Sequence, residues 1–187
     1  QFTGTLGIQW ISRNFAALGV ETFVPQTKQQ SLGFYTTHKY TWNNWILSAG
    51  IRGELSSVDP KTNQQKLSGN ALPSVTLPND IHYQAISAST AAQWNPFKDL
   101  SVLLSLNRGK RSPDIQELLA LGPHLATRSF DIGNIQLSNE TVNMIDLSLN
   151  CQSRYFSSRM RDYYNHIDNF IYQRNTGLVY EIDSESI

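Results

Sequence analysis

The segment Leu100–Asn107 alternates, with Leu103 as its one exception. Leu100, Val102, Leu104 and Leu106 fall on one side, and Ser101, Ser105 and Asn107 on the other. A side-chain period of two marks extended chain with one apolar and one polar face. The pattern recurs. Phe2, Leu6, Ile8 and Trp10 stand against Thr3, Thr5, Gly7 and Gln9. Leu32, Phe34 and Thr36 stand against Ser31, Gly33 and Thr37. Trp45, Leu47, Ala49 and Ile51 oppose Ser48, Gly50, Arg52 and Glu54. Ile145, Leu147 and Leu149 oppose Asp146, Ser148 and Asn150. The sequence thus predicts strands over Gln1–Ser12, Lys28–Tyr40, Trp45–Glu54, Ile81–Trp94 and Leu100–Asn107. Another surrounds Ile145, and an aromatic extended segment runs over Tyr155–Gln173. With a start near Leu178, this makes about seven or eight long strands of an antiparallel, all-β meander.

The connections alternate in length. Arg13–Thr27, Ser56–Asp80 and the stretch between the Leu100 and Ile145 strands are long and punctuated by Gly and Pro. Thr41–Asn44, Asn95–Asp99 and Gln152–Arg154 are short. In an antiparallel meander, alternate connections fall on opposite rims, so the long ones gather at one end. Long strands, an apolar stripe and this asymmetry describe a transmembrane β-barrel. The polar faces, rich in Ser, Thr, Gln, Asn and Gly, suit a wet lumen. Trp10, Tyr40, Trp42, Trp45, Trp94 and Phe97 sit near strand ends, where amphipathic rings meet lipid head groups. Alternation also fits a soluble β-sandwich with its apolar faces turned inward.

Charge and cysteine content narrow the function. Lys plus Arg equals Asp plus Glu, and 16% of residues are charged. That balance argues against a nucleic-acid partner, whose phosphates call for a concentrated basic surface. The single cysteine, Cys151, excludes an intrachain disulfide framework. No run approaches the ~20 apolar residues of a spanning helix. The chain opens in mid-strand on Gln1 without a signal peptide, so the expectation is a piece of a longer protein whose targeting segment lies upstream.

The longest connection carries a dense motif. Arg111, Pro113, Glu117, Leu118, Gly122, Pro123, His124, Ala126, Thr127, Phe130, Asp131, Gly133, Asn134, Leu137 and Glu140 closely resemble a loop of TonB-dependent outer-membrane receptors. In those receptors a Glu-Leu precedes Gly-Pro-His-x-Ala-Thr, then Phe-Asp/Glu-x-Gly-Asn and a Glu opening the next strand. Asn14–Thr27 (NFAALGVETFVPQT) resembles a second loop of the same receptors, with Val20 where an acidic residue is common. Tyr164–Tyr172 (YNHIDNFIY) is a third match. The resemblance covers nearly the whole chain and points to the zinc-uptake-like subgroup. It implies that residues 1–187 are part of a barrel of about 22 strands, without the N-terminal plug and the remaining strands. It implies an outer-membrane location, lipid contact, and a TonB-type energy-coupling partner acting through the plug. The cargo would be a metal ion or metal chelate, with zinc as transported substrate rather than resident cofactor. Two open sheet edges cannot be left in hydrocarbon, where each unpaired backbone group costs several kcal/mol. Strands beyond this chain are therefore expected.

In the zinc-uptake subgroup a histidine of this loop and a barrel-loop glutamate bind the ion with plug residues. The resemblance transfers these roles to His124 and Glu21. Imidazole is the commonest zinc ligand, and mixed nitrogen and carboxylate shells suit borderline metals. The alternatives are that His124 only hydrogen-bonds within its loop and that Glu21 braces its own. Asp114 and Glu117 either pair with Arg108 or Arg111 or cap a helical turn across Asp114–Leu121. Arg108, Lys110 and Arg111 steer an anionic substrate or form a solvated rim. His38, His82 and His166 read as structural, with His166 and Asp168 as an alternative metal pair on one strand face. Competing functions are a siderophore or haem receptor, a passive porin, and a soluble binding module. No catalytic role is expected: the Gly-x-Ser-x-Gly nucleophile elbow is absent from the sequence.

Overall fold

The computed structural model describes residues 1–17, 23–61, 64–65, 75–77, 79–124, 128–177, 181–182 and 185–186. Seven long strands form one sheet: β1 (Phe2–Phe15), β2 (Thr27–Trp42), β3 (Trp45–Pro60), β4 (Ile81–Phe97), β5 (Leu100–Arg111), β6 (Glu140–Gln152) and β7 (Ser157–Asp168). Each pairs antiparallel with its neighbour in sequence, so spatial order equals chain order. This is the expected meander. The start of an eighth strand near Leu178 lies outside the described residues.

Register carries the period-two pattern across the sheet. Ile8 faces Phe34, Leu32 faces Leu55, Ile51 faces Ala88, Ala92 faces Leu104, and Leu104 faces Leu147. These residues share one face. On the other, Thr5 faces Thr37, then Gly50, Ser89 and Asn107 continue the row. The apolar face is not covered by protein: Leu6 is 82% exposed, Ile8 69% and Ile86 64%. An uncovered apolar surface this wide is a contact surface, and alternation with a polar opposite face is the pattern of a β-barrel wall. Among the described residues no helix is long and apolar enough to cross a membrane; the strands are long enough to do so.

The two rims differ as the connection lengths imply. At the short-turn rim Asn43 adopts φ 48°, a left-handed conformation that asparagine tolerates. Trp42, Trp45, Trp94, Tyr40 and Phe97 cluster there on exposed positions, and the rings of Trp45 and Trp94 stack with centroids 5.8 Å apart. Trp10 lies toward the opposite end of β1.

Several strands run past their expected ends. β1 continues through Arg13–Phe15, β3 continues to Pro60, and β5 to Arg111. At the other extreme β7 stops at Asp168, short of the expected Gln173. The β1 and β3 extensions share one physical cause. At the long-loop rim the polar face stops being polar: Phe15, Val58, Ile81 and Tyr83 point to that side. They pack against a buried cluster of Val24, Leu77, Ile115, Leu118, Leu119 and Ala120. The only compact core among the described residues is therefore not between two sheets. It is made by long loops folded over the mouth of the polar face.

Candidate functional site

The segment after β5 supplies most of that cluster. Residues Ile115–Leu119 form a short helix, α1, whose Ile115, Leu118 and Leu119 lie on one side at helical spacing and are fully buried. Asp114 caps it. The Gln116 N–H donates to Asp114 Oδ1 (3.2 Å), and the Asp114 N–H donates to Glu117 Oε2 (2.7 Å), a reciprocal capping box. Such a cap contributes about 1 kcal/mol.

Glu117 has a second role. Arg111 forks onto it (Nη1–Oε2 2.9 Å, Nη2–Oε1 3.2 Å) and also reaches Glu140 (Nε–Oε1 3.3 Å, Nη2–Oε2 3.4 Å). Both alternatives read for Glu117, capping and pairing with Arg111, hold together. Asp114 instead lies 3.8 Å from Arg13 of β1, not beside Arg108 or Arg111. Glu140 also accepts from the Ile171 N–H at 3.0 Å. One guanidinium thus ties the helix to β6 and, through Glu140, to the chain beyond β7.

These contacts shift both groups. The Ile171 N–H and then Arg111 hold the Glu140 carboxyl below its usual range. The carboxylates, Glu117 first and then Glu140, push the Arg111 guanidinium up. Both stand at the extreme ends of their strands, at the long-loop rim. Because Glu140 is depressed in the folded state, its stabilising contribution is complete above the ordinary carboxylate value. It is lost as pH falls through the depressed one. Pulse proteolysis of the 112–139 segment should therefore be flat between pH 6 and 8 and accelerate below about pH 4. Arg111→Ala should move that onset to higher pH.

Beyond α1 the chain turns into a small hairpin, Leu121–His124 paired with Ser129–Ile132, with His124 opposite Ser129 and Gly122 opposite Asp131. Backbone bonds dock it. Gly133 N–H donates to Ala120 O (2.6 Å), Asn134 N–H to Glu117 O (2.9 Å), and Leu121 N–H to Phe23 O (2.6 Å). Tyr83 Oη donates to Leu137 O (3.0 Å) and Asn139 Nδ2 to Gln84 O (2.7 Å), fixing the return to β6.

His124 sits at the end of this hairpin strand. Its ring stacks on Phe23, centroids 5.2 Å apart and planes 24° from parallel. Its Nδ1 lies 3.5 Å from Asp131 Oδ2. Asp131 Oδ1 accepts from Ser129 Oγ at 2.9 Å. The imidazole is thus held on its face and at one edge while remaining 40% exposed. Glu21 lies outside the described residues, two positions before Phe23 in sequence. Among the described residues no three His, Cys, Asp or Glu side chains gather closely enough to hold an ion.

The other histidines have local partners. His38 contacts Thr36 Oγ1 (3.0 Å) and stacks on Phe2. His82 lies 3.9 Å from Asp80, and His166 3.2 Å from Asp168. His166 and Asp168 share the apolar side of β7 with Met160 and Tyr164, opposite Asn143 and Thr141. Arg108 and Lys110 also fall on the apolar side of β5, with Leu104 and Leu106, and Arg108 Nη1 donates to Asn143 Oδ1 at 3.4 Å. Phe23, Ser129 and Asp131 were not singled out as candidates from the sequence. The signal that could have found Asp131 is its two-residue spacing from Ser129 within a motif that also holds His124.

Comparison with known proteins places this architecture. The family described as "TonB dependent receptor-like, beta-barrel" matches residues 1–183. A solved structure titled "Copper transporter OprC" superposes with a TM-score of 0.69 at 15% identity, over 90% of this chain. The match spans 28% of the OprC chain, so this chain corresponds to a little over a quarter of that protein's length. At that identity the likeness concerns the fold. A meander with an uncovered apolar face, a polar opposite face and long loops gathered at one mouth, matched over residues 1–183, leads to one conclusion: the chain belongs to the TonB-dependent receptor family, within its β-barrel domain.

Proposed function

We propose that the chain is the part of an outer-membrane receptor that walls its lumen and forms the extracellular mouth for metal uptake. The complete barrel has about 22 strands, and the plug and remaining strands belong to other parts of the receptor. Energy comes from a TonB-type partner acting through the plug. The cargo is a divalent metal ion, zinc before other metals, with His124 as one ligand and Glu21 and plug residues as others.

The observation that carries this reading is the restraint on His124. His124 combines a ring stacked on Phe23, a carboxylate 3.5 Å from Nδ1 and a side chain that is 40% exposed, a combination expected of a ligand more than of a purely structural loop histidine. The available donors are imidazole nitrogen and carboxylate oxygen, a set that suits zinc better than softer ions, which prefer sulfur. The likeness to a copper transporter supports a transition-metal cargo in general. A siderophore or another anionic chelate is less well served. Arg111 is engaged by two carboxylates, and Arg108 and Lys110 occupy the side of β5 turned from the lumen.

The test is zinc titration of the full-length receptor by calorimetry. His124→Ala should weaken zinc binding about tenfold or more, the scale of one lost ligand interaction, with the barrel's heat stability unchanged. Undiminished affinity would remove His124 from the ligand set.

A further inference from the structure

We infer that Asp131 is a positioning residue for His124, fixing the imidazole as the Nδ1–H tautomer so that Nε2 is the nitrogen presented to the metal. This rests on the metal-binding reading of His124. Four residues of the small hairpin share one face: Gly122 and His124 on the first strand, Ser129 and Asp131 on the second. Asp131 stands directly opposite Gly122, which has no side chain, so its carboxylate can lean diagonally toward His124. Diagonal neighbours across an antiparallel pair lie within reach of such contacts. Oδ1 is anchored by the Ser129 hydroxyl at 2.9 Å, which turns Oδ2 to within 3.5 Å of His124 Nδ1.

The direction of the effect follows from charge. A carboxylate beside Nδ1 favours a proton there, because the N–H then points its positive end at negative oxygen. The lone pair of the neutral ring is then on Nε2. Asp131 Oδ2, 3.5 Å from Nδ1, holds that edge of the ring toward the hairpin. Phe23, stacked on the ring, sets the plane in which the lone pair lies. Orientation and tautomer are thereby set by groups that do not themselves touch the ion.

The experiment compares zinc affinity and histidine tautomer in the full-length receptor, using zinc chloride and nitrogen-15 histidine spectra. Asp131→Asn should weaken zinc binding by about ten- to a hundredfold and shift His124 away from the Nδ1–H form. Asp131→Glu should restore both in part, and Ser129→Ala should weaken binding by a smaller factor. If Asp131→Asn makes the hairpin susceptible to protease, the Ser129→Ala tautomer and affinity decide. Full affinity in Asp131→Asn alongside lost affinity in His124→Ala would overturn this inference and leave the metal reading standing. Lost affinity in Asp131→Asn with the ring still protonated at Nδ1 would overturn it too. Unchanged affinity in His124→Ala would overturn both.

Discussion

Gly133→Ala should undo the loop-covered mouth while leaving the barrel wall intact. A Cβ at Gly133 would lie 2.7 Å from both the carbonyl carbon and oxygen of Leu118 and 2.8 Å from the amide nitrogen of Ala120. All three are backbone atoms of the helix end, so no side chain can swing aside. Gly133 also donates to Ala120 O at 2.6 Å, and its neighbour Asn134 donates to Glu117 O. Adding one methyl group must push the hairpin from α1 and break both bonds. Overpacking costs about 1–3 kcal/mol, and each of the two backbone bonds lost adds about 0.5–1.5 kcal/mol. The segment 112–139 should become a preferred protease site, and His124 should lose Phe23 as a stacking partner. Heat-modifiable migration of the folded barrel should persist. Gly133→Ala with an unaltered proteolytic pattern would show that the helix and hairpin are not in contact as described.

The second large effect concerns the apolar face. Leu104 stands in the middle of β5 between Ala92 and Leu147 and is 45% exposed. Leu104→Arg should cost about 2–4 kcal/mol if the residue faces the bilayer midplane. Leu104→Ala should cost far less than the roughly 2–5 kcal/mol typical of a packed protein core, because lipid chains flow into the space and no cavity remains. The pair of variants separates two environments that a single substitution would confuse. Reversible denaturation in lipid vesicles supplies both numbers. A Leu104→Ala cost at the core value would place this face against protein.

Much of this wall is legible in the chain because each strand repeats one rule. Leu104, Leu147, Ile51 and Ile8 all sit where strict alternation puts them, and the long and short connections fix which rim is which. The strand ends are less legible. Val58, Ile81 and Phe15 break the rule by placing apolar side chains on the polar face, and they do so because loops from elsewhere in sequence cover them. A local pattern cannot report a distant cover. The capping box at Asp114–Glu117 is readable because it spans four residues. The His124 arrangement is not, since Gly122 and Pro123 read as breakers although they lie in a hairpin strand. Its stacking partner Phe23 comes from another loop altogether.

The loops and the wall are coupled through few groups. Arg111 joins α1 to β6, and Glu140 extends the link to Ile171. That arrangement ties the helix, β6 and the chain beyond β7 into one unit at the mouth.

The most direct measurement is site-directed spin labelling of the full-length receptor in lipid, with Cys151→Ser as background. Labels at Leu47, Leu104 and Leu147 should collide with membrane-dissolved oxygen, and labels at Ser48, Ser105 and Ser148 should not. If labels at Leu47, Leu104 and Leu147 are shielded from both oxygen and aqueous nickel reagent, the face is a dry protein interior and the transport account fails with it.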